Sequence, residues 1–186
     1  GYPMQAESKN QRWQPVVIAL LLGATLMRPG AGLAADNLTL SGALVAAACK
    51  IKAGDEVLAV DLGAGTNADL YLYTRTVGKT FQIHLEDCNT GISNSVTTTF
   101  SGTENTKLPG LLALGGTIEK GVAIGLETLG GTPLPLNVAS ARQALSNGAN
   151  VIAFKVFIKG EPQAVANRLI KPGYYTAVST FTLDYP

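Results

Sequence analysis

Between residues 36 and 44 the chain reads Asp-Asn-Leu-Thr-Leu-Ser-Gly-Ala-Leu, so that Leu38, Leu40, Gly42 and Leu44 fall on one face of any extended strand. The segment stands just ahead of the first cysteine, Cys49. A strand of this kind can complete another molecule's sheet by main-chain hydrogen bonding. Its alternate side chains fill pockets, and a bare glycine lets backbones approach closely. The expectation is a chain that works by assembly rather than by chemistry.

Upstream, Lys9 and Arg12 supply a basic start, Pro15 to Met27 an apolar run, and Gly32-Leu33-Ala34 a small-residue cleavage signal. Residues 1–34 are therefore expected to be a signal peptide removed after Ala34. The apolar run has 13 residues, short of the about 20 that cross a bilayer, and no membrane span is expected. The rest divides into an N-terminal extension over residues 35–48 and one domain over residues 49–186. Residues 35–186 carry 11 basic and 12 acidic side chains, which leaves no basic field for nucleic acid. Their length is enough for one hydrophobic core and leaves no room for a second domain.

Two cysteines, Cys49 and Cys88, are present. In an exported chain an even count reads as a disulfide formed in an oxidising compartment. Neither sits in a Cys-x-x-Cys, which argues against the rival reading of a redox or metal pair. Closing a loop of about 40 residues stabilises a fold by roughly 4 kcal/mol in the chain-entropy picture.

Beyond Cys49 the chain is a series of short strand-like runs separated by Gly, Asn, Pro and Thr, an all-β pattern. The clearest runs are 80–88, 95–101, 121–128, 150–159 and 174–185. Phe81, Ile83 and Leu85 alternate with Gln82, His84 and Glu86, which predicts one buried and one wet face; Phe154, Val156 and Ile158 behave alike. In the last run Tyr175, Ala177, Ser179, Phe181, Leu183 and Tyr185 share a face that mixes large and small residues. Gly115-Gly116, Gly130-Gly131-Thr132-Pro133 and Asn147-Gly148 mark turns. Residues 140–145 could form at most a helical turn. The strand spacing with one disulfide predicts a two-sheet sandwich of immunoglobulin type.

Catalytic signals are few. The single histidine, His84, shares its strand face with Glu86 and reads as solvated; one histidine without clustered acids or thiols cannot assemble a usual metal site. Val77-Gly78-Lys79-Thr80 ends like a phosphate-binding loop, but Tyr73 stands where the upstream glycine is needed, and a strand pattern follows where a helix should open. No Gly-x-Ser-x-Gly elbow occurs, and the pairs Asp55-Glu56 and Glu86-Asp87 read as solvated charges pointing to opposite faces. No enzymatic activity, cofactor or metal is expected.

Six ordered blocks carry a further resemblance: Leu38-x-Leu40-x-Gly42-x-Leu44 ahead of Cys49, Asp61-Leu62-Gly63, Phe81-x-Ile83-x-Leu85-x-Asp87-Cys88, Thr99-Phe100-Ser101-Gly102, Gly121-Val122-Ala123-Ile124 with Gly131-Thr132-Pro133-Leu134, and the closing Gly173-x-Tyr175-x-Ala177-x-x-x-Phe181-x-Leu183-x-Tyr185. Along its full mature length the chain resembles the pilin subunits of chaperone-usher fimbriae, the group that includes the type 1 and P pili of Gram-negative bacteria. The resemblance implies an incomplete immunoglobulin-like β-sandwich of six strands, missing the seventh, with an N-terminal donor-strand extension. An apolar groove would then lie open along the C-terminal strand, an aggregation hazard if left bare. In that family a periplasmic pilus chaperone lends the groove a strand, and an outer-membrane usher exchanges it for the extension of the next pilin subunit.

Carried onto this chain, the resemblance makes Leu38, Leu40, Gly42 and Leu44 the donor face. It makes Gly173, Tyr175, Ala177, Phe181, Leu183 and Tyr185 the acceptor groove and chaperone contact, with Gly173 starting that strand. It also matches Cys49 and Cys88 to the family's disulfide. Pro186 after Tyr185 departs from the family pattern. The implied role is a structural fimbrial subunit, exported through the periplasm, assembled on the cell surface and supporting adhesion. The alternative is a minor tip or adaptor subunit that binds a glycan receptor directly.

Overall fold

A computed structural model describes residues 36–44, 47–62, 67–116 and 119–186, with side chains at residues 42–44 outside that description. The expected leader, residues 1–34, and Gly63 lie outside the described residues. Among the described residues nine strands form in chain order with two short helices: β1 (Asn37–Leu44), β2 (Lys50–Ile51), β3 (Val57–Asp61), α1 (Asn67–Tyr73), β4 (Lys79–Cys88), β5 (Ser95–Ser101), β6 (Val122–Thr128), β7 (Gln143–Ala144), β8 (Gly148–Gly160), α2 (Pro162–Ala166) and β9 (Thr176–Asp184). They make two sheets, ordered β3-β1-β9-β5-β7 and β2-β4-β8-β6.

The alternation read in the sequence places the core between these sheets. Phe81, Ile83 and Leu85 of β4 are buried, as are Phe154, Val156 and Ile158 of β8 and Phe100 of β5. Phe81, Phe100 and Phe154 meet with ring centroids 5.1 to 6.2 Å apart, two of the three pairs edge-on, an arrangement that adds ring quadrupole attraction to buried area. Cys49, one residue before β2, is disulfide-bonded to Cys88 at the end of β4. The bond fixes the root of the N-terminal segment to the opposite sheet.

β2 and β3 are one chain segment that changes sheets: Lys50 and Ile51 pair with β4, and after residues 52–56 the stretch Val57 to Asp61 pairs with β1. Taking them together, six principal strands remain beside β1 and the two-residue β7. The helices cover one end of the sandwich, where Leu70, Val122, Ile158, Ala164, Ile170 and Tyr175 form a second buried cluster. α2 opens with Pro162, whose fixed φ suits a first helical position.

Three local expectations change. Residues 140–145 supply β7 and not a helical turn, because Ser95 and Val96 offer Ala144 and Gln143 a strand partner. Asp55 is not a solvated charge: its Oδ2 accepts the His84 main-chain N–H at 2.8 Å and lies 2.8 Å from His84 Nδ1. His84 is accordingly half-buried and engaged with the β2–β3 turn, where Glu56 also accepts the Gly54 N–H at 2.7 Å. Glu86 does not partner it. Gly173 does not begin the last strand, which starts at Thr176; its φ of +128° marks it as a bend before that strand.

Candidate functional site: the slot between β3 and β9

The last strand, β9, lies with β5 on one side, pairing antiparallel from Thr97↔Asp184 to Ser101↔Thr180. On its other side the first sheet would stop, were it not for β1. β1 runs parallel to β9 from Asn37↔Thr176 to Leu44↔Leu183 and antiparallel to β3 from Asn37↔Asp61 to Ser41↔Val57. Within this chain the extension therefore fills a slot between β3 and β9, closing the sheet with a ladder on both sides. An edge at this place would expose unpaired N–H and C=O groups along β9.

The first inward pairs of the filling match in size. Leu38 and Leu40 are both 0 % exposed and join the main core cluster. Each sits in register with a small residue of β9, Leu38 with Ala177 and Leu40 with Ser179. The next pair reverses the sizes, with Gly42 in register with Phe181, a ring 1 % exposed. Burying two leucine side chains stabilises the joint by about 3 to 6 kcal/mol before the cost of ordering the segment. Ser179 is tolerated in the core because its hydroxyl donates to the Ser101 carbonyl at 2.8 Å.

Both ends of the slot are polar, in different ways. At the start, Asp36 is buried; its carboxylate accepts the Tyr175 N–H, its carbonyl accepts the Leu62 N–H at 2.8 Å, and the Asn37 N–H donates to the Tyr175 carbonyl at 3.0 Å. Tyr175 is buried too, and its hydroxyl donates to the Lys171 carbonyl at 2.9 Å and reaches the Asn67 side-chain oxygen at 3.1 Å. Burial raises its pKa above the ordinary phenol value, and the charge of Asp36 adds to the effect. At the far end, Tyr185 stands one residue beyond β9 and packs against the core, its hydroxyl buried with no hydrogen-bond partner among the described residues. Burial raises its pKa as well.

The structure thus brings together Leu38, Leu40, Ala177, Phe181 and Leu183 along one slot, with Tyr175 and Tyr185 at its two ends and Gly173 outside it. Gly42 and Leu44 lie on β1 in register with Phe181 and Leu183. Sequence reasoning did not find Asp36 or β3. The only signal of Asp36 was an acid heading a leucine alternation, and β3 (Val-Leu-Ala-Val-Asp) is an apolar run with no strict period. Among the described residues no three His, Cys, Asp or Glu side chains gather where a metal could bind. Lys79 of the loop-like Val77-Gly78-Lys79-Thr80 opens β4 and no helix follows it. No helix among the described residues is long and apolar enough to cross a membrane.

A family model described as fimbrial protein matches residues 38–186. The chain is 35% identical over 174 residues to the major MR/P fimbria protein of Proteus mirabilis (strain HI4320), covering 90% of this chain and 97% of that one. It is 30% identical over 166 residues to the fimbria A protein of Serratia marcescens, covering 89% and 93%. Among solved structures, the P pilus rod subunit PapA superposes with a TM-score of 0.65 at 19% identity, covering 75% of this chain and 100% of that one. That likeness is one of fold.

Proposed function

Because this chain belongs to the fimbrial protein family and is a subunit of chaperone-usher pili, we propose that it is a structural subunit of the fibre that joins its neighbours by donor-strand exchange. The observation that carries this reading is the slot beside β9, which takes up an extended strand of alternating large and bare residues and completes a sheet and a core with it. Residues 36–44 are such a strand. Lent to the slot of the next subunit, they would supply the same main-chain ladder and buried leucines in trans, with no nucleotide consumed.

On this reading a periplasmic chaperone shields the slot after export, an outer-membrane usher exchanges the chaperone's strand for a neighbour's extension, and the assembled fibre supports adhesion on the cell surface. The chain is then a building unit and not an enzyme. The test is electron microscopy of fibres from cells making Gly42→Arg or lacking residues 36–44, together with co-purification of the chaperone complex. Both variants are expected to bind chaperone and fail to join the fibre. Normal incorporation of either would refute the reading.

A further inference from the structure

We propose that the open half of β8, residues 149–153, is a second assembly edge separate from the slot, and that its occupant is the same edge of a second copy of this chain, paired antiparallel about a two-fold axis at Val151. The joint goes beyond the donor-strand reading and uses none of β1, β3 or β9.

β8 is long and its neighbour β6 is short. β4 pairs with β8 from Val156 back to Gly148, whereas β6 pairs with it only from Gly160 back to Phe154. There the β6 chain turns away, the Gly131 N–H donating to the Thr128 carbonyl and the Thr128 N–H to the Thr132 carbonyl, both at 2.9 Å. The direction of the remaining main-chain groups of β8 follows from β4. The His84 carbonyl accepts the Lys52 N–H from the β2 side, so Ile83 and Leu85 turn their groups toward β8, because successive residues of a strand face alternate sides. Their partners Ile152 and Asn150 face back to β4, and Ala149, Val151 and Ala153 face away from it. Among the described residues the outward groups of these three meet no neighbouring strand.

Exposed edges are ordinarily blunted by lysine, proline or a bulge. Residues 148–153 read Gly-Ala-Asn-Val-Ile-Ala, with no charge and no proline, and Val151 is 52 % exposed. Beside them runs a cleft of about 390 Å³, floored by Leu145 and Ile152, flanked by Thr128 and Leu129 and lined by no charged residue. Such a cleft suits an uncharged extended strand, and the edge itself is one. With the axis at Val151, residue 151 faces its own copy and residues 149 and 153 face each other, so all three outward residues find outward partners and each pair exchanges two hydrogen bonds. The partner strand must leave before Thr128, which already stands opposite Phe154. Gly148, with φ at +91°, bends the chain at that position.

Cysteine placement in the purified full chain under mild oxidation tests the register, with the Cys49–Cys88 bond verified intact by peptide mapping. Val151→Cys is expected to form a disulfide between copies, since hydrogen-bonded Cα partners stand about 5.5 Å apart, within disulfide reach. Val178→Cys, more exposed but on the outer face of β9, is expected to cross-link at least tenfold less. Ala149→Cys and Ala153→Cys are each expected to stay at that background alone and to cross-link like Val151→Cys when mixed. Val151→Lys is expected to weaken the association constant measured by sedimentation equilibrium at least tenfold. Equal yields from Val151→Cys and Val178→Cys, no gain on mixing, or unchanged association of Val151→Lys would each overturn the proposal. A chain that stays monomeric yet takes up an uncharged extended peptide at Val151 would assign the edge to a foreign strand and overturn it too.

Cross-linking at residue 151 together with exclusion of Gly42→Arg from fibres sustains both this joint and donation between subunits. The same cross-linking with normal incorporation of Gly42→Arg sustains the edge joint and removes donation.

Discussion

Arg75 holds Glu127 through two parallel N–H···O bonds of 3.0 and 2.9 Å while its guanidinium lies 3.7 Å from the centre of the Phe157 ring. Glu127 on β6 is 4 % exposed, and Phe157 on β8 lies flat across Gly125, where an added Cβ would come within 2.2 Å of the ring. β8 and β6 are thus clasped on their outer face by a segment preceding β4. Removing Arg75 leaves a buried carboxylate unpaired, tempered by the partial exposure of the arginine. Arg75→Ala should cost about 2 kcal/mol, and Arg75→Lys most of that, since an ammonium cannot reproduce the fork or the stacking. The urea midpoint of each variant measures it.

The same pair sets an acid limit. Hydrogen bonds from Arg75 hold the Glu127 carboxyl below its ordinary value of 4.5, against the opposing effect of burial. The native state therefore binds fewer protons than the unfolded chain below that value, so the stabilisation is complete above about pH 4.5 and is lost as pH falls through the lowered native pKa. Glu127→Gln should be less stable near pH 7 and should flatten this acid dependence, as read from denaturation midpoints between pH 3 and 7.

Gly125→Ala should cost about 1 to 3 kcal/mol, because the new methyl meets the Phe157 ring and either bends β6 or lifts the ring from beneath Arg75. A lowered thermal midpoint with the disulfide intact would show it. A midpoint equal to that of the unmodified chain would mean the ring has free room to move.

Two tyrosines at opposite ends of β9 should respond in opposite senses to loss of the hydroxyl. Tyr175→Phe abandons the Lys171 carbonyl and the Asn67 side chain and should cost about 1 to 2 kcal/mol. Tyr185→Phe removes a buried hydroxyl that has no partner among the described residues and should be neutral or stabilising by up to about 1 kcal/mol. Parallel denaturant titrations compare them directly.

The sequence showed faces well and partners poorly. The bounds of β5 and the buried side of Phe81, Ile83 and Leu85 follow from an alternation that any half-buried strand must carry. His84 finds Asp55 across 29 residues and Arg75 finds Glu127 across 52; such pairs depend on which strands become neighbours, which no local period encodes. β3 escaped notice because it follows directly on a turn at which the chain changes sheets, with only five residues in which to show a pattern. The slot was half legible. Both strands announced themselves by alternation and family resemblance, yet the register that sets Leu38 beside Ala177 and Gly42 beside Phe181 belongs to the paired sheet and to neither strand alone.

Cys49 is bonded to β4 through Cys88, and only residues 45–48 separate it from the end of β1. β1 is therefore a ligand on a leash of four residues, and its effective concentration at its own slot is of order millimolar. A strand free in solution at micromolar levels is outnumbered about a thousandfold at that slot. On the donor-strand reading, handing a subunit on therefore requires a machine that keeps the leash taut, or a partner strand tethered as closely as the one it replaces.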